Sequence, residues 1–266
     1  MPDTLPIPPL PLRELVGVPD PARFDNPNGD PIFGELHIGP LAPREAYAHV
    51  FDLGCGCGRH ARQLLQQDPR PERYVGVDLN PEMITWCQAN LEAEGFSYAH
   101  HDVHNHTYGP DNSRHETRPI RQHGSNFTLI NAHSVFTHLF PEQSEHYLRE
   151  CAAMLAPRGV MRTSWFFFHR AWFPALAPHR HAVFFDEGDP RMAVYHDWGW
   201  FTRTVRALGL AVVHVHWTPL AGHHNEVFLA HPHDGFEDLL EGDLTPPGTV
   251  LGFGASAPPG YDGPAI

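Results

Sequence analysis

The chain contains the stretch Val50-Phe51-Asp52-Leu53-Gly54-Cys55-Gly56-Cys57-Gly58-Arg59, which decides its fold. An apolar run followed by closely spaced glycines predicts a buried strand that ends in a tight turn. Because glycine has no Cβ, Gly54, Gly56 and Gly58 allow the backbone to turn sharply and to approach a ligand closely. The stretch therefore predicts a nucleotide-like cofactor site between a strand and a helix that begins near Gly58.

The acid that precedes the turn separates two cofactor classes. Asp52 would repel a pyrophosphate and attract a positive group, which favours an adenosyl sulfonium with an α-amino group over a dinucleotide. A dinucleotide remains an alternative, because residues 56–61 also satisfy the looser pattern G-x-G-x-x-A.

A second acid ends the next predicted strand, which runs from Tyr74 to Asn80. Asp78 is placed to accept hydrogen bonds from ribose hydroxyls, an arrangement that both cofactor classes use. Asn80 and Pro81 then predict the N-cap and first residue of a helix. The apolar face of that helix consists of Met83, Ile84, Cys87 and Leu91.

Further strands and helices alternate along the rest of the chain, which predicts an α/β fold with a parallel sheet and right-handed crossovers. Ligands bind such sheets at the carboxyl ends of the strands, where Asp52, Asp78, Asp102 and His133 all fall. The predicted elements are the strands 96–100 and 127–133, a helix from about 141 to 155, a strand from 160 to 168 after a turn at 157–159, and two last strands within 210–231.

These features resemble the class I S-adenosylmethionine-dependent methyltransferases, whose first motif, acidic-x-Gly-x-Gly-x-Gly, is matched in full by residues 52–58. The resemblance covers about residues 48–170. It departs from the family at Thr128, where Asp is usual, and at Arg158, where Gly is common. It implies S-adenosylmethionine as the cofactor and a Rossmann-like, doubly wound, mostly parallel seven-stranded sheet whose last strand is antiparallel.

The resemblance also implies which residues hold the cofactor. A residue near Met83 flanks the adenine, although core packing is the alternative for Met83. Asp102 stands where the family's acid meets the adenine amino group. The implied cofactor-binding set is Asp52, Gly54, Cys55, Gly56, Gly58, Asp78, Leu79, Met83, Asp102, Val103, Ala132 and His133.

A closer likeness lies within the same superfamily. The chain resembles a bacterial subgroup of largely unassigned substrate in three features. These are the run Gly-Cys-Gly-Cys-Gly-Arg at 54–59, the run Ser-Val-Phe-Thr-His-Leu at 134–139 and a Pro-rich lead with Leu15-Val16-Gly17. This likeness implies a reaction and leaves the acceptor open.

The implied reaction is a direct displacement, in which an oxygen, nitrogen or carbon nucleophile attacks the sulfonium methyl in line. The protein's main contribution is alignment and exclusion of water, and a base is needed only if the acceptor must lose a proton. His133 and His138 are the candidate catalytic bases, because a neutral imidazole takes up a proton near pH 7. A packing or capping role is the alternative for His138.

The charge of the chain argues against a nucleic-acid acceptor. Acidic residues outnumber basic residues 31 to 18, the formal net charge is −13, and every basic residue is arginine. Enzymes that act on nucleic acids gather positive charge to neutralise phosphates. We therefore expect a small-molecule or glycan-type acceptor, while the oligomeric state stays open.

No apolar run approaches the ~18 residues that a membrane span needs, and no signal segment opens the chain. We therefore expect no membrane partner and a cytoplasmic location. The four cysteines lack the spacing of a zinc ribbon or redox pair and are expected to be small buried residues.

The composition predicts three parts: a Pro-rich N-terminal extension at 1–47, a methyltransferase domain at 48–232 and a Gly/Pro-rich, mobile tail at 233–266. An aromatic insertion at about 165–200 could line an acceptor site or pack as a lid.

A histidine-rich segment at 100–106 has enough donors to coordinate a transition metal, but the polar loop that follows it favours a solvated insertion. His223, His224 and Glu226 are likewise possible metal ligands that are better explained without a metal. The sequence thus predicts no metal.

Two other functions stay open, a nicotinamide oxidoreductase and a noncatalytic protein that binds the cofactor.

Overall fold

The computed structural model describes residues 5–25, 47–186, 188–217, 224–233 and 262. The strands form a mixed sheet that is mostly parallel with an antiparallel edge, which confirms the Rossmann-like α/β class. The helices are α1 (Leu10–Leu15), α2 (Ala22–Asp25), α3 (Arg59–Leu65), α4 (Pro81–Asn90), α5 (Pro141–Met154) and α6 (Trp198–Ala207). The strands are β1 (His49–Leu53), β2 (Arg73–Asp78), β3 (Phe96–His100), β4 (Phe127–Ala132), β5 (Leu155–Phe168), β6 (Ala182–Phe184), β7 (Val194–Asp197), β8 (Ala211–His216) and β9 (Asn225–Ala230).

The chain divides into two compact units. The first consists of Met1–Asn131 and Met154–Val160, and the second of Ala132–Ala153 and Met161–Ile266. Both β4 and β5 have residues in each unit, and the three parts expected from composition remain a prediction.

The first unit is built on β1, which pairs in parallel with β2 on one side and with β4 on the other. β2 also pairs in parallel with β3, so the strand order is β3-β2-β1-β4. The cap predicted for α4 is confirmed, because the Asn80 side chain accepts a hydrogen bond from the Met83 amide at 3.0 Å and Pro81 occupies the first turn.

The second unit contains two antiparallel pairs, β6 with β7 and β8 with β9. The last residues of β5 pair in parallel with β7, and β9 also pairs with β5. β6 and β7 are additional to the predicted strands, and both lie within the segment that was expected to be an aromatic insertion.

Most of the aromatic rings of that segment pack inside the second unit. Trp165 stacks between Phe136 and Phe167, at centroid distances of 4.4 and 5.7 Å, and Phe201 lies 4.8 Å from the Trp165 ring. The buried members are Trp165, Phe166, Phe167, Phe168, Phe173, Tyr195, Trp198 and Trp200. These rings are packed against one another, and a role for the segment in lining an acceptor site or forming a lid remains a prediction.

β5 begins at Leu155, directly after α5, where a turn at 157–159 was predicted. The stretch is extended and lies close to β4, as shown by Gly159, where an added Cβ would come within 2.7 Å of the Phe127 carbonyl oxygen.

In the described part of the chain, no helix has the length and apolar character to cross a bilayer.

The predicted tail lies outside the described residues except for His233 and Asp262. Residues 1–4 and 26–46 of the predicted extension also lie outside them.

Candidate cofactor site

The glycine turn after β1 has the tight backbone conformation that its sequence predicts. Gly54, Gly56 and Gly58 have φ values of 72°, 55° and 77°, in the left-handed region that favours glycine. Space is also limited, because a Cβ on Gly58 would lie 2.4 Å from the Leu91 side chain. Any other residue at these positions would strain the turn.

Three backbone amides tie this turn to the end of β2. The Gly54 and Cys55 amides donate to the Val77 carbonyl oxygen at 2.8 and 3.0 Å. The Gly56 amide donates to Oδ2 of Asp78 at 2.8 Å. Two of the segments that the sequence assigned to the cofactor are therefore joined directly.

The Asp78 carboxylate is oriented by two amides. Its Oδ2 accepts from Gly56, and its Oδ1 accepts from the Asn80 amide at 2.8 Å. Burial raises the pKa of Asp78, and these two hydrogen bonds oppose that rise. Since each carboxylate oxygen has a second lone pair, Asp78 can still accept hydrogen bonds from a pair of ribose hydroxyls.

Asp52 lies beneath the turn in the interior of the first unit and is only 1% exposed. The Tyr74 hydroxyl donates to its Oδ2 and the Asn131 amide donates to its Oδ1, both at 2.6 Å. The Asn131 amide nitrogen is also 2.9 Å from Nδ1 of His60, which itself lies 3.8 Å from Oδ2 of Asp52. Burial raises the pKa of Tyr74 well above its usual value, so the phenol keeps the proton that it donates.

The two groups that donate hydrogen bonds to Asp52, the Tyr74 hydroxyl and the Asn131 amide, are neutral, and they stabilise its carboxylate inside the protein. A charge in such an environment is screened less than a charge in water and acts over a longer distance. We therefore expect Asp52 to act through its field on the turn. The role of Asp52 in binding the cofactor remains a prediction.

Asp102, after β3, is held by the loop that follows it. Its Oδ1 accepts from the Ser113 amide at 2.8 Å, and its Oδ2 accepts from Nη1 of Arg118 at 3.1 Å. The hydrogen bond from the Ser113 amide and the positive charge of Arg118 lower the pKa of Asp102. Desolvation alone would raise it. The carboxylate is therefore ionised near neutral pH and oriented from one side.

The histidine-rich loop is anchored to the same strand ends. Nδ2 of Asn112 donates to the carbonyl oxygens of Leu79 and Val103 at 2.7 and 3.0 Å. Nδ2 of Asn80 donates to the Tyr108 carbonyl oxygen at 3.1 Å. Among the residues that the structure describes, no group of three or more His, Cys, Asp or Glu side chains is placed to hold a metal ion.

The remaining predicted residue of this unit, Met83, is buried in a cluster with Leu12, Val18, Phe24 and Cys57. The packing alternative therefore applies to Met83, and this packing does not preclude a contact with adenine. The cluster includes residues of the N-terminal segment, which sequence analysis did not connect with the turn.

Three predicted residues, Ala132, His133 and His138, belong to the second unit. Ala132 is fully buried, and the His133 ring makes an edge contact with His224 at 5.4 Å. Nδ1 of His138 lies 2.8 Å from the Arg191 carbonyl oxygen, so Nδ1 carries the proton. Burial lowers the pKa of His138, which keeps its imidazole neutral at pH 7.

The sequence does not identify Tyr74, Asn131 and His60 as the neighbours of Asp52. One signal was present, since Asn131 is a polar residue within a run of buried apolar residues, and buried polar groups need partners. Nothing in the sequence, however, indicates which residue that partner is.

The fold and the tied glycine turn define a Rossmann-like domain of the kind that holds a nucleoside cofactor at its strand ends. Residues 50–159 match the family model described as a methyltransferase domain. Over these residues the chain is similar to a methyltransferase domain, which indicates S-adenosylmethionine as its cofactor.

Individual relatives are distant. A stretch of 55 residues is 36% identical to an uncharacterized methyltransferase of Emericella nidulans and covers 21% of this chain and 19% of that protein. The match therefore spans about a fifth of the relative's length.

Similar solved structures include a TehB-like S-adenosylmethionine-dependent methyltransferase from Corynebacterium glutamicum, with 18% identity, a TM-score of 0.47, and coverage of 73% of this chain and 85% of that one. An S-adenosylmethionine-dependent methyltransferase from Mesorhizobium loti has 15% identity, a TM-score of 0.49, and coverage of 72% and 94%.

Proposed function

We propose that this protein transfers a methyl group from S-adenosylmethionine to a small-molecule or glycan-type acceptor, and that residues 48–232 carry this activity. The observation that carries the proposal is the hydrogen bond from the Gly56 amide to Asp78, which holds the glycine turn and the ribose acceptor in one fixed arrangement. The match of residues 50–159 to a methyltransferase domain supports the same reaction.

The residues of the first unit fit this cofactor. When bound, S-adenosylmethionine supplies a methyl group that is already activated for transfer. Asp78 offers acceptor lone pairs to ribose hydroxyls, Asp102 offers them to the adenine amino group, and the glycine turn permits a close approach of the backbone. Met83 and Val103 supply buried apolar surface beside these acids.

A small-molecule acceptor is supported by charge. The net charge of −13 disfavours a polyanionic partner, and Arg62 and Arg162 are buried at 1% exposure, where they cannot reach phosphates. The four cysteines are free and buried, which agrees with the reducing cytoplasm that we propose as the location.

Proton removal from the acceptor, where needed, is assigned to His138 or His133. His138 has the appropriate protonation state, because Nδ1 donates to the Arg191 carbonyl oxygen and a neutral ring then has its lone pair on Nε2. Because burial lowers the pKa of His138, this base function is lost at a lower pH than for an ordinary histidine.

Calorimetry with S-adenosylmethionine, S-adenosylhomocysteine and NADH tests the cofactor, and a methyl-transfer screen over small alcohols, phenols, amines and sugars tests turnover. We expect both sulfur nucleosides to bind, no heat with NADH, and transfer of labelled methyl to at least one acceptor. Binding of NADH alone would overturn the proposal in favour of an oxidoreductase. Binding without transfer to any acceptor class would favour a noncatalytic protein.

Changing Arg118 to Gln is expected to weaken S-adenosylhomocysteine binding by only about 3-fold, because a half-exposed ion pair contributes roughly 0–1 kcal/mol. Arg118 and Asp102 have side-chain exposures of 43% and 38%, and the Ser113 amide still orients the carboxylate. Calorimetry measures the effect, and R114Q, which changes an exposed arginine of the same loop, is the matched control. A loss of 30-fold or more in R118Q alone would show that Arg118 contacts the cofactor directly.

A further inference from the structure

Arg62 on α3 is buried, with 1% of its surface exposed, which is rare for an arginine unless its donors are satisfied. Its guanidinium donates to three backbone carbonyl oxygens of the N-terminal segment. Nη2 lies 2.6 Å from the Leu5 oxygen, Nε 3.0 Å from that of Pro6, and Nη1 2.9 Å from that of Phe24. One side chain thus binds both ends of residues 5–25, which we call the N-terminal strap.

The part of the strap between these two ends lies against the glycine turn. A Cβ on Gly56 would lie 2.8 Å from Cγ1 of Val16, so the strap touches the backbone at the centre of the turn. The Sγ atom of Cys57, the next residue of the turn, lies 3.7 Å from the Leu12 carbonyl oxygen. The strap therefore contacts two consecutive residues of the turn.

The same segment also packs on the predicted adenine side of the site. Leu12, Val18 and Phe24 of the strap form one buried cluster with Met83 and Cys57. α1 is only 6 residues long, and isolated helices of this length are not stable in water. The strap thus depends on the turn, on Met83 and on Arg62 for its conformation.

We propose that the strap forms a wall of the cofactor site and that Arg62 is the positioning residue that holds it there. This inference rests on the proposed function, because it concerns the cofactor of that reaction. Its physical consequence is reciprocal: if the ordered strap raises cofactor affinity by some factor, the bound cofactor stabilises the ordered strap by the same factor. A side chain with a merely structural role would show no such coupling.

The test uses the full chain, S-adenosylhomocysteine as the probe, and R62Q with R73Q as its matched control. Arg73 belongs to the same unit and also donates to backbone carbonyls, those of His123 and Ser125, which lie outside the strap. We expect R62Q to weaken binding about 10-fold, the effect of losing about 1.4 kcal/mol of coupling, and R73Q to bind like the wild type.

Hydrogen exchange supplies the second readout. The amides of Leu12, Gly17 and Val18 donate within the strap and report its order. We expect S-adenosylhomocysteine to slow their exchange in the wild type and in R73Q, and to leave it unchanged in R62Q.

If R62Q fails to fold, V16A decides, because it truncates only the side chain that touches Gly56 and leaves the Arg62 bonds intact. V16A is expected to bind about 3-fold more weakly, an effect within the range for one lost apolar contact. Unchanged affinity in R62Q, or in V16A where R62Q does not fold, would overturn the role of the strap and leave the proposed function intact, as would ligand-independent exchange in the wild type. A wild-type protein that binds no S-adenosylhomocysteine would overturn both.

Discussion

Changing Asp78 to Ala is expected to weaken S-adenosylhomocysteine binding by about 100-fold or more, because hydrogen bonds to a charged group contribute roughly 1.5–3 kcal/mol each and 1.4 kcal/mol corresponds to a factor of ten. The carboxylate offers lone pairs to a pair of ribose hydroxyls. It also holds the Gly56 and Asn80 amides, each at 2.8 Å. The substitution therefore removes the acceptor and releases the turn together.

Two further variants separate these contributions in the same calorimetric measurement. D78N keeps one carbonyl oxygen, which can accept from only one of the two amides, so an intermediate loss is expected. E94Q neutralises an exposed carboxylate shortly before β3 and should bind like the wild type. Wild-type affinity in D78A would show that the cofactor lies elsewhere, and the assignment of the strand ends would be wrong.

The parts of the site that the sequence predicts are those encoded by local rules. The glycines at 54, 56 and 58 predict a turn because only glycine adopts its backbone easily, and all three have positive φ. The cap at Asn80 is equally local, since a side chain bonds to an amide three residues later.

The parts that the sequence does not predict depend on contacts between distant segments. Asn131 reaches Asp52 across 79 positions, and Arg62 reaches Leu5 across 57. A buried polar residue indicates that a partner exists, but the identity of that partner follows from sheet order and helix packing. For the same reason, the sequence did not predict that the Asp52 carboxylate is buried and accepts hydrogen bonds from Tyr74 and Asn131.

The burial of Asp52 makes its charge testable separately from its geometry. Asn has nearly the same shape as Asp, and in D52N the new amide can donate to the Tyr74 oxygen while the remaining carbonyl still accepts from Asn131. S-adenosylmethionine carries one positive charge more than S-adenosylhomocysteine, because its sulfur is a sulfonium. D52N is therefore expected to weaken S-adenosylmethionine binding about 30-fold more than S-adenosylhomocysteine binding, since unit charges about 8 Å apart interact by about 2 kcal/mol at an effective dielectric constant of about 20.

Y74F is the matched control, because it removes one hydrogen bond to Asp52 and leaves the charge in place. We expect Y74F to lower the free energy of unfolding by about 1–3 kcal/mol, the effect of a lost buried hydrogen bond, and to change both affinities by the same factor. Calorimetry with the two nucleosides measures the ratio, and chemical denaturation measures the stability. Equal losses for the two nucleosides in D52N would mean that the Asp52 charge does not act on the sulfonium, and that Asp52 serves only to fix Tyr74 and Asn131 beneath the turn.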